Sequence, residues 1–323
     1  MRNRGWRLAV AAWLGAMALL AAPALAELRT EKHLALAPGG RLVIESAIGA
    51  VSLRGVDGAS GATIVLTASR DDLEKDYEIR FEEAPGEARL TIKPRRSGWW
   101  NDLRITHDRV QITASVPRFA AASVHLSGGD IDAADLDGAA AFASSGGSIR
   151  ARNLAGKLEA RSSGGDVDVH DCRGDVELSS SGGNVRAVAM QGRVEARSSG
   201  GEVRIERAAG DVRGSSSGGD VEIVQAGGRV VAGSSGGSVK VSFAPGNAHG
   251  GEITSSGGEV EVRVDPAVGL DVEASASGGE VACKLPLTVQ GKFSEHRVAG
   301  KLRGGGEHLS VRSSGGGVSI ASL

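Results

Sequence analysis

The stretch Ser163-Gly164-Gly165-Asp166-Val167-Asp168-Val169 decides the fold, because its serine and two glycines return at a constant interval along the chain. Ser-Gly-Gly recurs every 18 residues, with its serine at Ser127, Ser145, Ser163, Ser181, Ser199, Ser217 and Ser235. Three more copies follow at Ser256, Ser277 and Ser314, and a second glycine series lies midway, at Gly138, Gly156, Gly174, Gly192, Gly210 and Gly228. The repeating unit therefore consists of two halves of nine residues.

Between the glycines, apolar and polar residues alternate, as in Val167-Asp168-Val169. This period of two is typical of β-strands, in which successive side chains point to opposite faces. Two short strands per repeat cannot close a core alone, but stacked repeats bury a continuous one. The sequence therefore predicts an all-β fold, a parallel β-solenoid with about 18 residues per coil. At ~4.8 Å per coil, roughly eleven coils from Ala120 to Leu323 would make a rod on the order of 50 Å long.

Residues that lie one repeat apart are expected to stack in inward columns. One apolar column consists of Ile131, Ile149, Val167, Val185, Val203, Val221 and Val239, and the facing one of Leu158, Val176, Val194, Val212 and Val230. A third inward column is polar and consists of Ser162, Ser180, Ser198, Ser216 and Ser234. The serine hydroxyls can hydrogen-bond along the axis or to the backbone. The double glycine at each corner predicts a backbone with positive φ.

Outward columns carry charges whose sign changes from coil to coil. One consists of Lys157, Asp175, Arg193, Asp211 and Arg229. Another begins with Asp132, Arg150, Asp168 and Arg186, but Arg186 and Arg204 break its alternation. Opposite charges on neighbouring coils attract, although each exposed pair contributes only ~0.2–1 kcal/mol. We interpret these columns as solvated walls that keep the coils in register, rather than as a ligand site.

The composition excludes several classes of protein. The chain has 49 Gly but only 8 Pro in 323 residues and no Gly-X-Y period, which excludes collagen. Its 41% of hydrophobic residues can build a core, so the glycine content does not indicate disorder. Lys and Arg number 37 against 39 Asp and Glu, so charge gives no reason to expect a nucleic-acid partner.

Residues 1–26 have the pattern of a targeting segment. Arg2, Arg4 and Arg7 precede an apolar stretch that ends at Leu20, and Ala24-Leu25-Ala26 has the small residues of a cleavage site. We predict a secretory signal peptide over residues 1–26 and export to the periplasm, the outer surface or the extracellular space. An uncleaved membrane anchor is the alternative. No later apolar run is long enough to cross a bilayer, so no transmembrane helix is expected after cleavage.

Residues 27–118 are also rich in strand patterns but are less regular. We interpret them as an N-terminal cap of wider early coils with an inserted hairpin, ahead of the regular solenoid region over residues 119–323. Such a cap covers the edge of the sheet, whose unpaired backbone groups would otherwise favour aggregation.

One loop in the cap carries the candidate ligand-binding residues, Arg95, Arg96, Trp99 and Trp100. A tryptophan pair beside two arginines can bind a sugar ring, a lipid headgroup or a partner protein through stacking and cation–π contacts. The alternative is that the rings fold onto the N-terminal coils as a plug, since large apolar surfaces are seldom left exposed.

The sequence gives no support for catalysis, a metal or a cofactor. Cys172 and Cys283 lie about six coils apart, too far for a disulfide, and are predicted to be buried free thiols. Calcium is disfavoured because Lys157 and Arg193 follow midway glycines where a calcium-binding repeat would need acids. The seven histidines have no metal-ligand spacing, and no nucleophile elbow is present. We therefore expect a protein that is not an enzyme.

Four features in this order resemble the bacterial putative adhesin family, a domain of unknown function in exported and membrane-linked proteins. They are Leu36-Ala37-Pro38-Gly39-Gly40-Arg41-Leu42-Val43-Ile44, Gly49-Ala50-Val51-Ser52-Leu53-Arg54-Gly55-Val56-Asp57-Gly58, Val116-Pro117-Arg118 and the repeated Ser-Ser-Gly-Gly-Asp-Val units. The resemblance implies a cell-envelope or surface role, in adhesion or envelope-stress sensing, and no catalytic residues.

Three functional hypotheses follow. The first is a non-enzymatic exported scaffold that binds a cell-wall polymer or another protein, with Trp99 and Trp100 in contact with it. The second is end-to-end self-assembly, because the last strand pattern, Val318 to Leu323, has no charge and no capping helix after it. The third, and least favoured, is a polysaccharide-active enzyme.

Overall fold

The structure is a computed structural model that describes residues 28–37, 39–95, 109–289 and 294–323. The predicted signal peptide over residues 1–26 lies outside the described residues.

The N-terminal part of the chain combines seven strands with one turn of helix. The strands are β1 (Leu28–Ala35), β2 (Arg41–Ser46), β3 (Ala50–Val56), β4 (Gly61–Ala68), β5 (Tyr77–Ala84), β6 (Glu87–Pro94) and β7 (Val110–Pro117). The helical turn, α1 (Leu73–Asp76), lies between β4 and β5 and buries Leu73.

The regular part has two strands per repeat. These are β8 (Ala121–Leu126), β9 (Ile131–Leu136), β10 (Ala140–Ser144), β11 (Ile149–Leu154), β12 (Leu158–Ser162), β13 (Val167–Cys172), β14 (Val176–Ser180), β15 (Val185–Met190), β16 (Val194–Ser198), β17 (Val203–Ala208), β18 (Val212–Ser216), β19 (Val221–Ala226), β20 (Val230–Ser234) and β21 (Val239–Phe243). The C-terminal strands are β22 (Gly251–Ser255), β23 (Val260–Val264), β24 (Leu270–Ala276), β25 (Val281–Cys283), β26 (Leu287–Val289), β27 (Arg297–Leu302), β28 (Glu307–Ser313) and β29 (Val318–Ser322).

The strands form two long sheets, and the predicted parallel β-solenoid is confirmed. The first sheet has the order β1-β4-β7-β3-β9-β11-β13-β15-β17-β19-β21-β23-β29-β25, and the second the order β26-β27-β24-β28-β22-β20-β18-β16-β14-β12-β10-β8-β2-β6-β5. Successive coils pair in parallel at a register of one repeat, so that Val167 lies between Ile149 and Val185. Each coil therefore contributes one strand to each sheet.

The inward columns lie where the repeat predicts them. The two valine and isoleucine columns are buried, with each residue no more than 3% exposed. Cys172 is fully buried between Leu154 and Met190, and both cysteines are free, as predicted. Cys283 is only half-buried, because it lies in β25 at the outer edge of the first sheet and packs on one neighbouring strand.

The inward serines form a hydrogen-bonded ladder along the axis. Ser162 Oγ donates to the carbonyl of Gly147 on the preceding coil at 2.8 Å and accepts the N–H of Gly165 at 2.9 Å. The same pair of bonds recurs at Ser144, Ser180, Ser198, Ser216, Ser234, Ser255 and Ser313. Each buried hydroxyl thus satisfies two backbone groups that the corner would leave unpaired.

The prediction of positive φ at the glycine corners is wrong for all Ser-Gly-Gly copies except the first, where Gly129 has φ +107°. Elsewhere the second glycine is required for space. A Cβ at Gly147 would lie 2.0 Å from the carbonyl oxygen of Gly129, and one at Gly201 would lie 2.4 Å from that of Gly183. The corners stack backbone against backbone, which leaves no room for a side chain.

Positive φ occurs instead at residues other than glycine, once per coil. Asp135, Asn153, Asp171, Ala189, Arg207 and Gln225 follow one another at 18-residue intervals with φ between +53° and +62°. Each precedes the last inward residue of its strand; for example, Asn153 lies between exposed Arg152 and buried Leu154. The left-handed residue shifts the strict alternation by one position and turns the end of the strand back into the core.

Many outward acids bind the backbone of the next coil rather than the facing side chain that the alternating charges predict. Asp175 Oδ1 accepts the N–H of Arg193 at 2.9 Å, while the Arg193 side chain lies 3.9 Å from Glu195. After the glycine corners, Asp166 Oδ1 likewise accepts the N–H of Asn184 at 2.7 Å, and Asn184 Oδ1 that of Glu202 at 2.8 Å. Where a corner carries a short polar side chain, that side chain therefore holds successive coils together.

Both ends of the solenoid depart from chain order. Near the N-terminus β6 and β7 stack outside β2 and β3. Antiparallel strands then extend the sheets, β4 and β1 beyond β7 in the first sheet and β5 beyond β6 in the second. The predicted division into a cap over residues 27–118 and a solenoid over residues 119–323 stays a prediction.

At the C-terminus, the expectation of an open last strand is wrong. Strand β29 lies between β23 and β25. The outermost coil, which contains β25, comes earlier in the chain, and the last coil lies inside it. The edges of the described sheets are instead β1 and β25 in the first sheet and β26 and β5 in the second. The second hypothesis expected unpaired backbone groups of the last strand to drive end-to-end pairing. Because β29 is paired on both sides, its backbone groups are not available for this.

Candidate functional site: a serine-lined groove

A groove runs along the glycine corners on the side of the second sheet. We call it the serine groove. One side carries the exposed serines that open each corner, Ser127, Ser145, Ser163, Ser181, Ser199, Ser217, Ser235 and Ser256. The other carries the outward residue two positions earlier in each repeat, His125, Ala143, Arg161, Ser179, Arg197, Ser215, Gly233 and Thr254.

The repeat itself explains the groove. In Ser179-Ser180-Ser181 the side chain of the middle residue points inward, and its hydroxyl forms part of the serine ladder. The side chains of its two neighbours point outward. Because the outward neighbours are small on most coils, a shallow channel is left above the buried hydroxyls. Because equivalent residues of successive coils stack in register, the channel continues from one coil to the next, and its lining repeats every ~4.8 Å.

The groove consists of two adjoining stretches, which we call its reaches, and both are lined by Ser179 and Ser181. The N-terminal reach has a volume of 790 Å³ and is bordered by Glu45, Lys93, His125 and Arg161. The second reach has a volume of 550 Å³ and is lined by serines, Gly233 and Thr254, with Arg197 the one charged residue among the described residues that line it.

Two arginines on the border are held by glutamates on the face of the second sheet. Arg161 Nε lies 2.7 Å from Glu159, and its Nη2 lies 2.9 Å from Glu177. Arg197 forms an ion pair with Glu195. About half of each arginine side chain stays exposed, 54% for Arg161 and 49% for Arg197. A guanidinium has five N–H donors, so both retain donors for a ligand.

Of the residues that the sequence nominated as a site, Arg95 is described and is exposed. Its Nε donates to the carbonyl of Glu74 at 2.8 Å, and its N–H donates to the carbonyl of Asp76 at 2.8 Å. Arg96, Trp99 and Trp100 lie outside the described residues. In the sequence they follow Lys93 and Pro94, which end β6 and border the serine groove.

Other chemistry is sparse in the part of the chain that the structure describes. There, no group of three or more His, Cys, Asp or Glu side chains converges as metal ligands would. Burial raises the pKa of the Cys172 thiol to about 11, which keeps it neutral and unreactive at physiological pH. No helix within the described ranges has the length and apolar character to cross a membrane.

The opposite face, formed by the first sheet, is a network of paired charges. Arg204 Nε donates to Glu206 at 2.7 Å and Arg186 Nη2 donates to it at 3.1 Å, and these bonds lower the pKa of Glu206. Arg152 lies 3.6 Å from Asp132. These charges are paired with one another, and both volumes described above lie on the side of the second sheet, so the groove is the better candidate for a site.

Reasoning from the sequence placed the inward serines correctly but did not recognise the groove. The signal was available, because the 18-residue spacing of the Ser-Gly-Gly serines also stacks them in one exposed column. What was missing was the small size of the neighbouring column, where Ala143, Ser179, Ser215 and Gly233 leave the space open.

The fold and the groove define a β-solenoid protein with a continuous, hydroxyl-lined surface along one edge. Residues 90–321, well over half of the chain, match the family model described as Toastrack DUF4097, and the chain belongs to this family. No curated protein matches it.

Several solved structures are similar at low sequence identity. A putative adhesin from Bacteroides fragilis shares 13% identity, with 92% of this chain and 97% of that chain covered and a TM-score of 0.44. A putative lipid binding protein from Parabacteroides distasonis has the same identity and coverage and a TM-score of 0.40. A putative cell adhesion protein from Clostridium sporogenes shares 13% identity, with 92% and 100% covered and a TM-score of 0.22.

Proposed function

We propose that the protein is a non-enzymatic, exported scaffold of the cell envelope that binds an extended polymer along the serine groove. The single observation that carries this proposal is the length of the groove, which repeats one set of hydroxyls from Ser127 to Ser256. A small molecule would need a single enclosed pocket. A repeated, open channel suits a ligand that is itself a repeating chain.

The chemistry of the groove favours a polymer rich in hydroxyl groups. Serine hydroxyls both donate and accept hydrogen bonds, as the hydroxyls of a glycan do. Each contact is weak, but contacts repeated along one rigid surface add up through high effective concentration. A rigid solenoid also loses little conformational freedom when it binds.

The tryptophan loop belongs to the same proposal. In the sequence, Trp99 follows Pro94 by five residues, and Pro94 lines the N-terminal reach of the groove. Trp99 and Trp100 would stack on sugar rings at this end, with Arg95 and Arg96 beside them. Aromatic stacking would then add to the hydrogen bonds of the serines.

The test replaces the two hydroxyls at the middle of the groove. Purified protein with Ser181→Leu and Ser199→Leu is sedimented with cell-envelope fractions, and the bound share is measured. Both residues are exposed, so the fold is expected to persist. We expect retention to fall, because the bulky side chains fill the channel and remove its hydrogen bonds.

The matched control is Ser242→Leu, an outward serine in β21 on the first sheet, away from the groove. It adds one exposed leucine, against two in the groove variant, without changing the channel. Equal retention of the groove variant, the control and the unmodified protein would contradict the proposal.

A further inference from the structure

We infer that the polymer is an acidic polysaccharide with one anionic group per disaccharide, and that Arg161 and Arg197 bind its anions. This inference rests on the proposed function and adds the class of ligand. It comes from the order of charges along the groove, which the exposed serines do not determine.

Arginine and small residues alternate along one border of the groove. In successive coils the column contains Ala143, Arg161, Ser179, Arg197 and Ser215. The two guanidinium groups therefore stand two coils apart, about 9.6 Å at the ~4.8 Å strand spacing. Between and beside them are a methyl group and hydroxyls, which match uncharged parts of a ligand.

The repeat of an extended glycan matches this order. A pyranose in an extended β-linked chain advances by nearly the ~4.8 Å that separates adjacent coils. Two sugars then span the distance from Arg161 to Arg197, so a carboxylate or sulfate on every second sugar meets an arginine each time. The intervening sugar meets Ser179, whose hydroxyl can bond to a neutral ring.

The charge of the groove also favours an anion. Among the described residues that line the two reaches, Lys93, Arg161 and Arg197 are cationic and Glu45 is the one acid, a formal charge of +3 − 1 = +2 with His125 neutral. Lys93 lies 3.8 Å from Glu45, so the two arginines are the cations that face a ligand. The glutamates that pair with the arginines, Glu159, Glu177 and Glu195, do not line the channel. They hold the guanidinium groups in place and leave part of each one free to donate.

The geometry of Arg161 shows how this works. Its Nε and Nη2 face Glu159 and Glu177, while Nη1 is not engaged in these ion pairs. A positioned guanidinium presents its remaining N–H groups to a carboxylate in a fixed orientation, which improves the hydrogen bond that forms. The ion pairs with the glutamates therefore fix the orientation of the arginine side chains and leave N–H groups that can bind a ligand.

The experiment measures binding of three polymers to the purified protein by calorimetry. Hyaluronan has one carboxylate per disaccharide, polygalacturonate has one on every sugar, and a cello-oligosaccharide has none. We expect hyaluronan to bind most tightly per chain length, and its affinity to fall with added salt. Tighter binding of either other polymer would overturn the inference.

Two substitutions test the arginines. Arg161→Gln with Arg197→Gln should weaken hyaluronan binding about tenfold or more, since charge-assisted bonds are lost. The matched control is Arg263→Gln, because Arg263 is also exposed and paired with the glutamate two residues before it, at 2.8 Å, but lies on the first sheet. It should bind as the unmodified protein does, and an equal loss would overturn the assignment.

A gain of function makes the test independent of damage to the fold. The alternation would place its next arginine two coils after Arg197, where the column has Gly233. Gly233→Arg should tighten the binding of long hyaluronan and leave the cello-oligosaccharide unchanged; no tightening would count against the spacing argument. If the serine variants lower envelope retention while the arginine variants do not change hyaluronan binding, only this inference fails and the proposed function stands.

Discussion

The hydroxyl of Ser180 donates to the carbonyl of Gly165 on the preceding coil at 2.8 Å, although the two residues are 15 positions apart in the chain. The same oxygen accepts the N–H of Gly183 at 2.9 Å. One buried side chain thus closes its own corner and fastens that corner to its neighbour. The ladder of such serines explains why a polar column can repeat from coil to coil inside an otherwise aliphatic core.

The first prediction concerns this ladder. Ser180→Ala should lower the free energy of unfolding by about 1–3 kcal/mol, because it leaves a buried carbonyl and a buried N–H unpaired. The measurement is urea denaturation followed by circular dichroism. Ser181→Ala is the control, since Ser181 is exposed, and it should change stability by less than about 0.5 kcal/mol. Equal effects would show that the ladder is not stabilising.

The second prediction separates the two glycines of a corner. A Cβ at Gly147 would lie 2.0 Å from the carbonyl oxygen of Gly129, whereas one at Gly146 would lie 3.8 Å from its nearest neighbour. Gly147→Ala should therefore destabilise the protein by about 1–3 kcal/mol through overpacking, and Gly146→Ala should be tolerated. Thermal unfolding of both variants is the measurement. Similar melting temperatures would show that close stacking does not require a glycine at position 147.

The third prediction is a pH dependence that comes from Cys172. Burial raises its pKa from 9.0 to about 11, so the unfolded thiol ionises at a lower pH than the folded one. The stability that this difference provides is complete below pH 9 and is lost as the pH rises towards 11. The loss amounts to about 2–3 kcal/mol at most.

The measurement compares urea midpoints at pH 8 and pH 10.5 for the unmodified protein and for Cys172→Ala. The variant lacks the titrating thiol, so its midpoint should fall less between the two pH values. A parallel decline in both proteins would show that other groups cause the alkaline loss. Cys172 should also resist alkylation by iodoacetamide in the folded protein at pH 8.

The fourth prediction concerns the tryptophan loop. Trp99→Ala with Trp100→Ala should leave the β-sheet circular dichroism spectrum intact and weaken retention on envelope fractions, because stacking contacts are lost. If the rings instead plug the N-terminal coils, the same variant should unfold at a clearly lower temperature. Unchanged retention would remove these residues from the site.

The control for the loop is Arg95→Gln. The Arg95 side chain bonds to the carbonyl of Glu74 and anchors the start of the loop. A loss of retention in the tryptophan variant with little change in Arg95→Gln would assign the contact to the rings. A loss only in Arg95→Gln would assign it to the charge or to the anchor.

The periodic part of the molecule could be predicted because each contact there repeats. Once Val167 stacks on Ile149, the same register places every later residue of the column, so a local pattern specifies long-range contacts. The parity that buries Ser162 and Val176 follows from the strand alone. The groove could have been predicted in the same way, from the small residues of two adjacent columns.

Two features of the regular coils could not be inferred from residue type. Ala189, Arg207 and Gln225 have positive φ, a conformation that residues of these types disfavour. They adopt it because the next residue, Met190 or its equivalent, must turn into the core to pack there. The glycine corners, conversely, suggest positive φ by type but need glycine for close stacking. In both cases the neighbouring coil, and not the local sequence, decides the backbone.

By itself, the sequence determined the coil length, the strand parity and the inward columns, since all three are consequences of one 18-residue period. Only the tertiary structure decided how the ends close. There the period breaks, and strand β29 pairs between β23 and β25 although the chain forms β25 first. The physical reason is that pairing at an edge depends on which strands offer matching backbone and apolar partners in space, and chain order does not contain that information.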